Sequence, residues 1–94
     1  MKIQREEHKN KGAFFIEQDG DWIAEMTYYR EGLRKIVIDH IEVDDSLQGK
    51  GVGEKMVEAA VKFAEKNNLL IKPTCPFAKK ILDSSEKYED VLTR

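Results

Sequence analysis

The stretch that most restricts how this chain can fold runs from Ile36 to Gly53. Ile36-Val37-Ile38-Asp39-His40-Ile41-Glu42-Val43 is rich in β-branched residues, which fit a pleated, half-buried strand. A short acidic turn, Asp44-Asp45-Ser46-Leu47, leads into Gln48-Gly49-Lys50-Gly51-Val52-Gly53 and then into a segment of helical period. Strand, glycine loop and helix in that order bring unpaired N–H groups and the positive end of a helix dipole to a backbone that lacks Cβ atoms. An anion, and a phosphate above all, is the expected guest.

Two common phosphate loops are excluded by spacing. A Walker loop needs Gly-Lys followed by Ser or Thr, whereas Gly49-Lys50 is followed by Gly51, which leaves no hydroxyl for a magnesium ion. A dinucleotide fingerprint needs Gly-x-Gly-x-x-Gly. Here the glycines read Gly-x-Gly-x-Gly, and too little chain follows for a second nucleotide-binding half.

Upstream, turn signals divide the chain into short strands. Ile3 to Glu7 reads as an edge strand, Asn10-Lys11-Gly12 as a turn, and Ala13 to Glu17 as the second strand. Asp19-Gly20 is a strong hairpin turn before Trp22 to Tyr29, and Glu31-Gly32 turns the chain into a fourth strand, Leu33 to Val43. From Gly53 the period changes: Met56, Val57, Ala60, Val61, Phe63 and Ala64 share one helical face, and Asn67-Asn68 suits its stop. Leu69 to Pro73 is a fifth strand, which a strand–helix–strand unit returns parallel to the fourth. Pro76 opens a short helix to about Leu82, and Tyr88, Val91 and Leu92 are packing residues of a last turn. The expected class is α+β with a mixed sheet: a four-strand antiparallel meander, a helix, a parallel fifth strand and short C-terminal helices.

At 94 residues the chain is expected to be one domain, 1–94. Its 40% hydrophobic and 36% charged residues suit a soluble globular protein. A net charge of −2 argues against a nucleic-acid binder. Met1 to Glu7 holds no apolar core of the secretory kind and no eighteen-residue apolar run occurs, so no membrane partner and a cytoplasmic location are expected. One cysteine and two histidines build neither a disulfide nor an unaided zinc site, so no metal is expected.

Gln48, Gly51 and Gly53, spaced Gln-x-x-Gly-x-Gly after a strand ending at Val43, resemble the acetyl-CoA pyrophosphate loop of the GNAT superfamily of N-acetyltransferases. The short length, Asp39-His40-Ile41-Glu42-Val43 and Pro73-Thr74-Cys75-Pro76-Phe77 are similar to a subgroup of very small, single-domain members. The resemblance implies acetyl-CoA as co-substrate and an amine as acceptor. Gln48, Gly49, Lys50, Gly51, Val52 and Gly53 would hold the pyrophosphate, and the backbone at Glu42 and Val43 would pair with the pantetheine arm. A monomer is expected.

Ligands of α/β units gather outside the C-terminal ends of parallel strands, which here carry His40 to Val43 and Pro73-Thr74-Cys75. His40 and Cys75 are therefore the side chains expected to face the thioester. With strict alternation and no bulge, Ile36, Ile38, His40 and Glu42 share one face of the strand, and Val37, Asp39, Ile41 and Val43 the other. His40 suits a general base, with Glu42 as helper. Cys75, ahead of a helix, is either a nucleophile, an acid for the departing thiol, or a small core residue. The resemblance also carries a departure: the strand position of the catalytic Glu in histone-type members falls at Val37. Phe77 stands where larger members place a general-acid Tyr, which leaves that task to Tyr88 or Cys75. Direct transfer and an acetyl-Cys75 route are both open, as are a CoA-binding module without turnover and an interaction protein with no ligand. Glu6, Glu7, Glu17, Asp19, Asp21 and Glu25 could favour a cationic amine or be solvated surface.

Overall fold

Short turns set the order of the first four strands of the sheet. The computed structural model describes residues 2–93; Met1 and Arg94, at the bounds of the expected domain, lie outside the described residues. Strands β1 (Gln4–His8), β2 (Lys11–Gln18), β3 (Asp21–Arg30) and β4 (Lys35–Val43) form the antiparallel meander, and β5 (Leu70–Pro73) adds to β4 in parallel, in the spatial order β1-β2-β3-β4-β5. Asp19 and Gly20 both take positive φ, 53° and 86°, as a hairpin of this length demands. The first turn differs from the expectation. It is Lys9-Asn10, with Lys9 at φ 57°, and Gly12 lies within β2. Gly12 is there for space: a Cβ would stand 2.4 Å from the Tyr28 ring.

Helix α1 (Val52–Lys66) and helix α2 (Pro76–Asp83) bury their apolar faces against one side of the sheet. Met56, Val57, Ala60 and Ala64 of α1 and Ala78 of α2 join Met26, Ile36, Ile38 and Ile71 in one core. Burying each large aliphatic side chain contributes about 1.5–3 kcal/mol. Ala13, Phe15 and Val37 are buried on the opposite side, apart from that core, and Phe15 stacks flat on Trp22 with ring centroids 4.1 Å apart. None of the helices among the described residues covers that face. None is long and apolar enough to cross a membrane.

β1 is tied down by charge as well as by its ladder. The Glu7 carboxylate accepts from the Tyr28 hydroxyl at 2.6 Å and the Arg30 Nε at 2.7 Å, while the Arg5 guanidinium lies 4.2 Å over the Phe63 ring. The Arg30 hydrogen bond holds the Glu7 carboxyl below its usual range. Glu7 thus leaves the set of surface acids expected to attract a cationic acceptor.

β4 departs from strict alternation. Thr27 pairs with His40 and Tyr28 with Ile38, so Asp39 is an extra residue opposite that step, a β-bulge. Its carboxylate accepts from the Thr27 hydroxyl at 2.7 Å. Beyond the bulge Ile41 and Val43 pack against the same core as Ile36 and Ile38, and His40 and Glu42 are exposed. The face expected to unite Ile36, Ile38, His40 and Glu42 is therefore split at Asp39.

Past β5 and α2 the chain makes a 3-10 turn, Glu86–Tyr88, and returns along the outer edge of β5. There the Thr93 N–H donates to the Ile71 carbonyl at 2.9 Å, and the Leu92 side chain packs against the core.

Candidate active site

β4 outlasts its parallel neighbour. Pairing with β5 runs from Lys35 and Leu70 to Ile38 and Pro73. The Ile38 carbonyl accepts from the N–H groups of Thr74 at 3.0 Å and Cys75 at 3.2 Å, and from the Thr74 hydroxyl at 3.3 Å. The chain then leaves into α2. Beyond the bulged Asp39, residues 40–43 of β4 stay paired to β3 alone, so their other edge borders open space. A cleft of about 420 Å³ lies there, walled by Ile41 and Val43 on one side and Phe77 of α2 on the other. That size suits a small-molecule site.

The floor of the cleft is the glycine loop. Asp44 opens it by accepting from the Ser46 N–H at 3.0 Å and hydroxyl at 2.5 Å, which hold its carboxyl below the usual range, and buried Leu47 anchors the 3-10 turn Asp45–Leu47. Gln48 folds back, its side-chain amide donating to the Val43 carbonyl at 3.1 Å. It therefore fixes the loop to the strand end. Gly49 and Gly51 hold φ of 80° and 71°, a region costly for other residues. Gly51 is the N-cap of α1 and supplies no side-chain acceptor. The first helical bond, Lys55 N–H to the Gly51 carbonyl at 3.1 Å, leaves the N–H groups of Val52, Gly53 and Glu54 without a protein acceptor among the described residues. A Cβ on Gly51 would meet nothing within 4 Å, so the cleft is open there.

Gly53 has a different reason to be glycine. Its φ is ordinary for a helix, but a Cβ would lie 2.6 Å from two carbons of the Phe77 ring. The ring, 42% exposed, lies against the first turn of α1 because that atom is missing.

The cleft gathers Val43, Gln48, Gly49, Gly51, Val52 and Gly53 from the residues expected to bind, without Lys50 or Glu42. His40 and Glu42 lie across β4 from it. Glu42 borders a smaller hollow of about 250 Å³ with Trp22, Glu25 and Asp44. Cys75 is buried at 7% exposure within the core and does not line the cleft, so His40 and Cys75 are not brought together as expected. Tyr88 is buried too. Ile41, Leu47, Glu54 and Phe77 are lining residues that the sequence reading missed. A signal for Phe77 existed: Ala78 and Leu82 mark the buried face of α2, and an aromatic ring just before Ala78 falls off it. Among the described residues no group of three or more His, Cys, Asp and Glu side chains is arranged to hold a metal ion.

A model of the GCN5-related N-acetyl-transferase family matches residues 13–91. Among solved structures, a GCN5-like protein from Staphylococcus aureus is 37% identical, with a TM-score of 0.71 over 96% of this chain and 87% of that one. The ribosomal-protein-alanine N-acetyltransferase from Brucella melitensis is 22% identical, with a TM-score of 0.63 over 90% of this chain and 64% of that one. The ribosomal-protein-S18-alanine N-acetyltransferase from Escherichia coli is 18% identical, with a TM-score of 0.66 over 83% of this chain and 53% of that one. The last two share the fold with this chain. No curated protein matches it.

Proposed function

The chain belongs to the GCN5-related N-acetyltransferase family, and from that premise we propose that it transfers an acetyl group from acetyl-CoA to an amine through the cleft beside β4. The observation that carries this reading is the separation of β4 from β5 after Ile38, in a gap that ends on the uncapped start of α1. Free N–H groups of Val52, Gly53 and Glu54, with the dipole behind them, suit the diphosphate. The unpaired edge of residues 40–43 suits the amide groups of the pantetheine arm, which would lie on it as an added strand.

The acceptor then approaches from the other face of the sheet, where no helix stands. His40 on that face takes a proton from the ammonium group, the freed amine attacks the thioester carbonyl, and the tetrahedral intermediate expels the CoA thiolate, which leaves as the thiol once protonated. Glu42 supports the charge that His40 gains. Cys75, buried and outside the cleft, stays a core residue, so transfer is direct and needs no acetyl-enzyme. The uncovered face also favours a second reading, a module that holds CoA without turnover.

Isothermal titration with acetyl-CoA, for the native chain and for Gly51→Val, tests the site. The native chain binds, and the variant folds by circular dichroism but does not bind. Normal binding by a folded variant refutes the loop as the site. Release of free CoA in the presence of polyamines, amino acids or peptides then separates the transferase from the module.

A further inference from the structure

The bulge in β4 sets a carboxylate beside His40. Thr27 pairs with His40, and residues directly opposite each other in a ladder point to the same face of the sheet. The Thr27 hydroxyl donates to the Asp39 carboxylate at 2.7 Å, so Asp39 turns to that face as well. In an unbroken pleat two chain neighbours would point to opposite faces, whereas the extra residue puts Asp39 and His40 together on the face that no helix covers. We propose that Asp39 binds the ammonium group of the acceptor there, so that the chain selects amines that are protonated at neutral pH. The inference rests on acetyl transfer through the cleft, with the acceptor entering across β4.

Position along the strand singles out Asp39 from the other acids of that face. With the diphosphate on the glycine loop after Val43 and the pantetheine arm along the edge of residues 40–43, the arm runs back toward the last shared rung, Ile38 and Pro73. Four strand residues span about 13 Å, and the reacting end of the arm comes to the closed end of the gap, where Asp39 stands. Glu25 and Glu42 pair with each other toward the opposite end, beside Trp22 and Asp44.

Charge separates Asp39 too. Glu7, Glu31, Glu58 and Asp83 are ion-paired to Arg or Lys, whereas Asp39 has a neutral donor and no ion-pair partner among the described residues. Lys72 of β5 is level with Val37, two residues back. A carboxylate oriented by one hydroxyl keeps its charge and has lone pairs left for an ammonium donor. Asp39 itself takes no proton. His40 accepts the first from the ammonium group, and the amine keeps an N–H bond to Asp39 that leaves its lone pair free for the thioester carbonyl. The N–C bond forms, the C–S bond breaks, and the second proton lost by the nitrogen goes to the departing thiolate.

The test measures CoA release at neutral pH with benzylamine, an ammonium ion there, and with aniline, which is uncharged. The native chain takes benzylamine with the lower KM. Asp39→Asn raises the benzylamine KM about tenfold, the scale of one charge-assisted hydrogen bond, changes the aniline KM far less and leaves the acetyl-CoA dissociation constant as it was. Thr27→Val, which frees the carboxylate to swing, raises the benzylamine KM to a smaller extent, and Thr27→Ser restores it. Glu25→Gln removes one charge from the same face and leaves both KM values near native. Equal changes in Asp39→Asn and Glu25→Gln overturn the inference in favour of a diffuse acidic field. A lower KM for aniline in the native chain overturns it as well. An unchanged benzylamine KM in Asp39→Asn, or equal weakening of both amines, overturns it while the transferase reading stands, provided His40→Ala still slows CoA release. If the native chain releases CoA with neither amine, the inference and the transferase reading fall together.

Discussion

Gly53→Ala is a methyl-sized probe of the cleft. The added Cβ would stand 2.6 Å from the Cε2 and Cζ atoms of Phe77, about 1 Å inside the carbon–carbon contact distance. Its next neighbour, Ile41 Cδ1 at 3.6 Å, is at ordinary contact. The ring alone must move, and with 42% of Phe77 exposed it has solvent to move into. Replacing a helical glycine by alanine gains up to about 1 kcal/mol, less in the first turn, and this offsets part of the lost ring contact. Stability should therefore stay within about 1 kcal/mol of native, a Tm change of no more than about 4–8 °C for a domain of this size. Binding should not stay: a ring displaced in the wall of the cleft lowers acetyl-CoA affinity about tenfold, or ~1.4 kcal/mol. Phe77→Ala added to Gly53→Ala removes the clash, so the pair should bind no worse than Phe77→Ala alone. Thermal unfolding by circular dichroism and isothermal titration read the two effects separately. Native affinity in Gly53→Ala would refute the idea that the ring borders the ligand's path, and a stability loss above about 3 kcal/mol would show that the ring cannot yield as supposed.

Glu7→Gln should cost about 1.5–3 kcal/mol at neutral pH, since it weakens charge-assisted bonds to Tyr28 and Arg30. The folded-state pKa of Glu7 lies below the usual 4.5, so its contribution is present above that value and lost as pH falls through the folded pKa; denaturation midpoints of native and variant should converge in acid. His40→Ala should lower turnover a hundredfold to ten-thousandfold at neutral pH and leave the acetyl-CoA dissociation constant nearly unchanged, and an unchanged rate would remove His40 from the chemistry. Cys75→Ala should cost about 1 kcal/mol of stability and retain activity, with no acetyl adduct by mass spectrometry after incubation with acetyl-CoA; a dead variant would restore the thiol to the mechanism.

The strand order and the loop before α1 were legible because each rests on local chemistry. Asp19-Gly20 declares its turn, the β-branched run declares β4, and the change of period at Gly53 declares α1, which begins one residue earlier at Val52. The bulge was less plain, though a sign of it was present: Ile36, Ile38, Ile41 and Val43 are spaced two, three and two apart, and the step of three is where Asp39 stands. Strict alternation overlooked it because a bulge is defined by the count on two strands at once. The steric reason for Gly12 and Gly53 was hidden for a related reason. Each is a glycine to admit a ring from elsewhere in the chain, Tyr28 or Phe77, and local sequence names neither partner. Gln48, expected at the ligand, lines the cleft and also ties the loop to the Val43 carbonyl through its amide, a contact that the motif does not announce.

The extra residue at Asp39 also acts as a stop on a zipper. With an unbroken pleat from Ile36 to Val43, the twist of β4 would stay in step with a parallel neighbour, and the segment after Pro73 could go on pairing with it. The added residue throws the strand out of step one position beyond the last shared rung, at Ile38 and Pro73. The opening beside β4 thus begins where the count of residues between Ile38 and Ile41 changes, at the point where β5 gives way to α2.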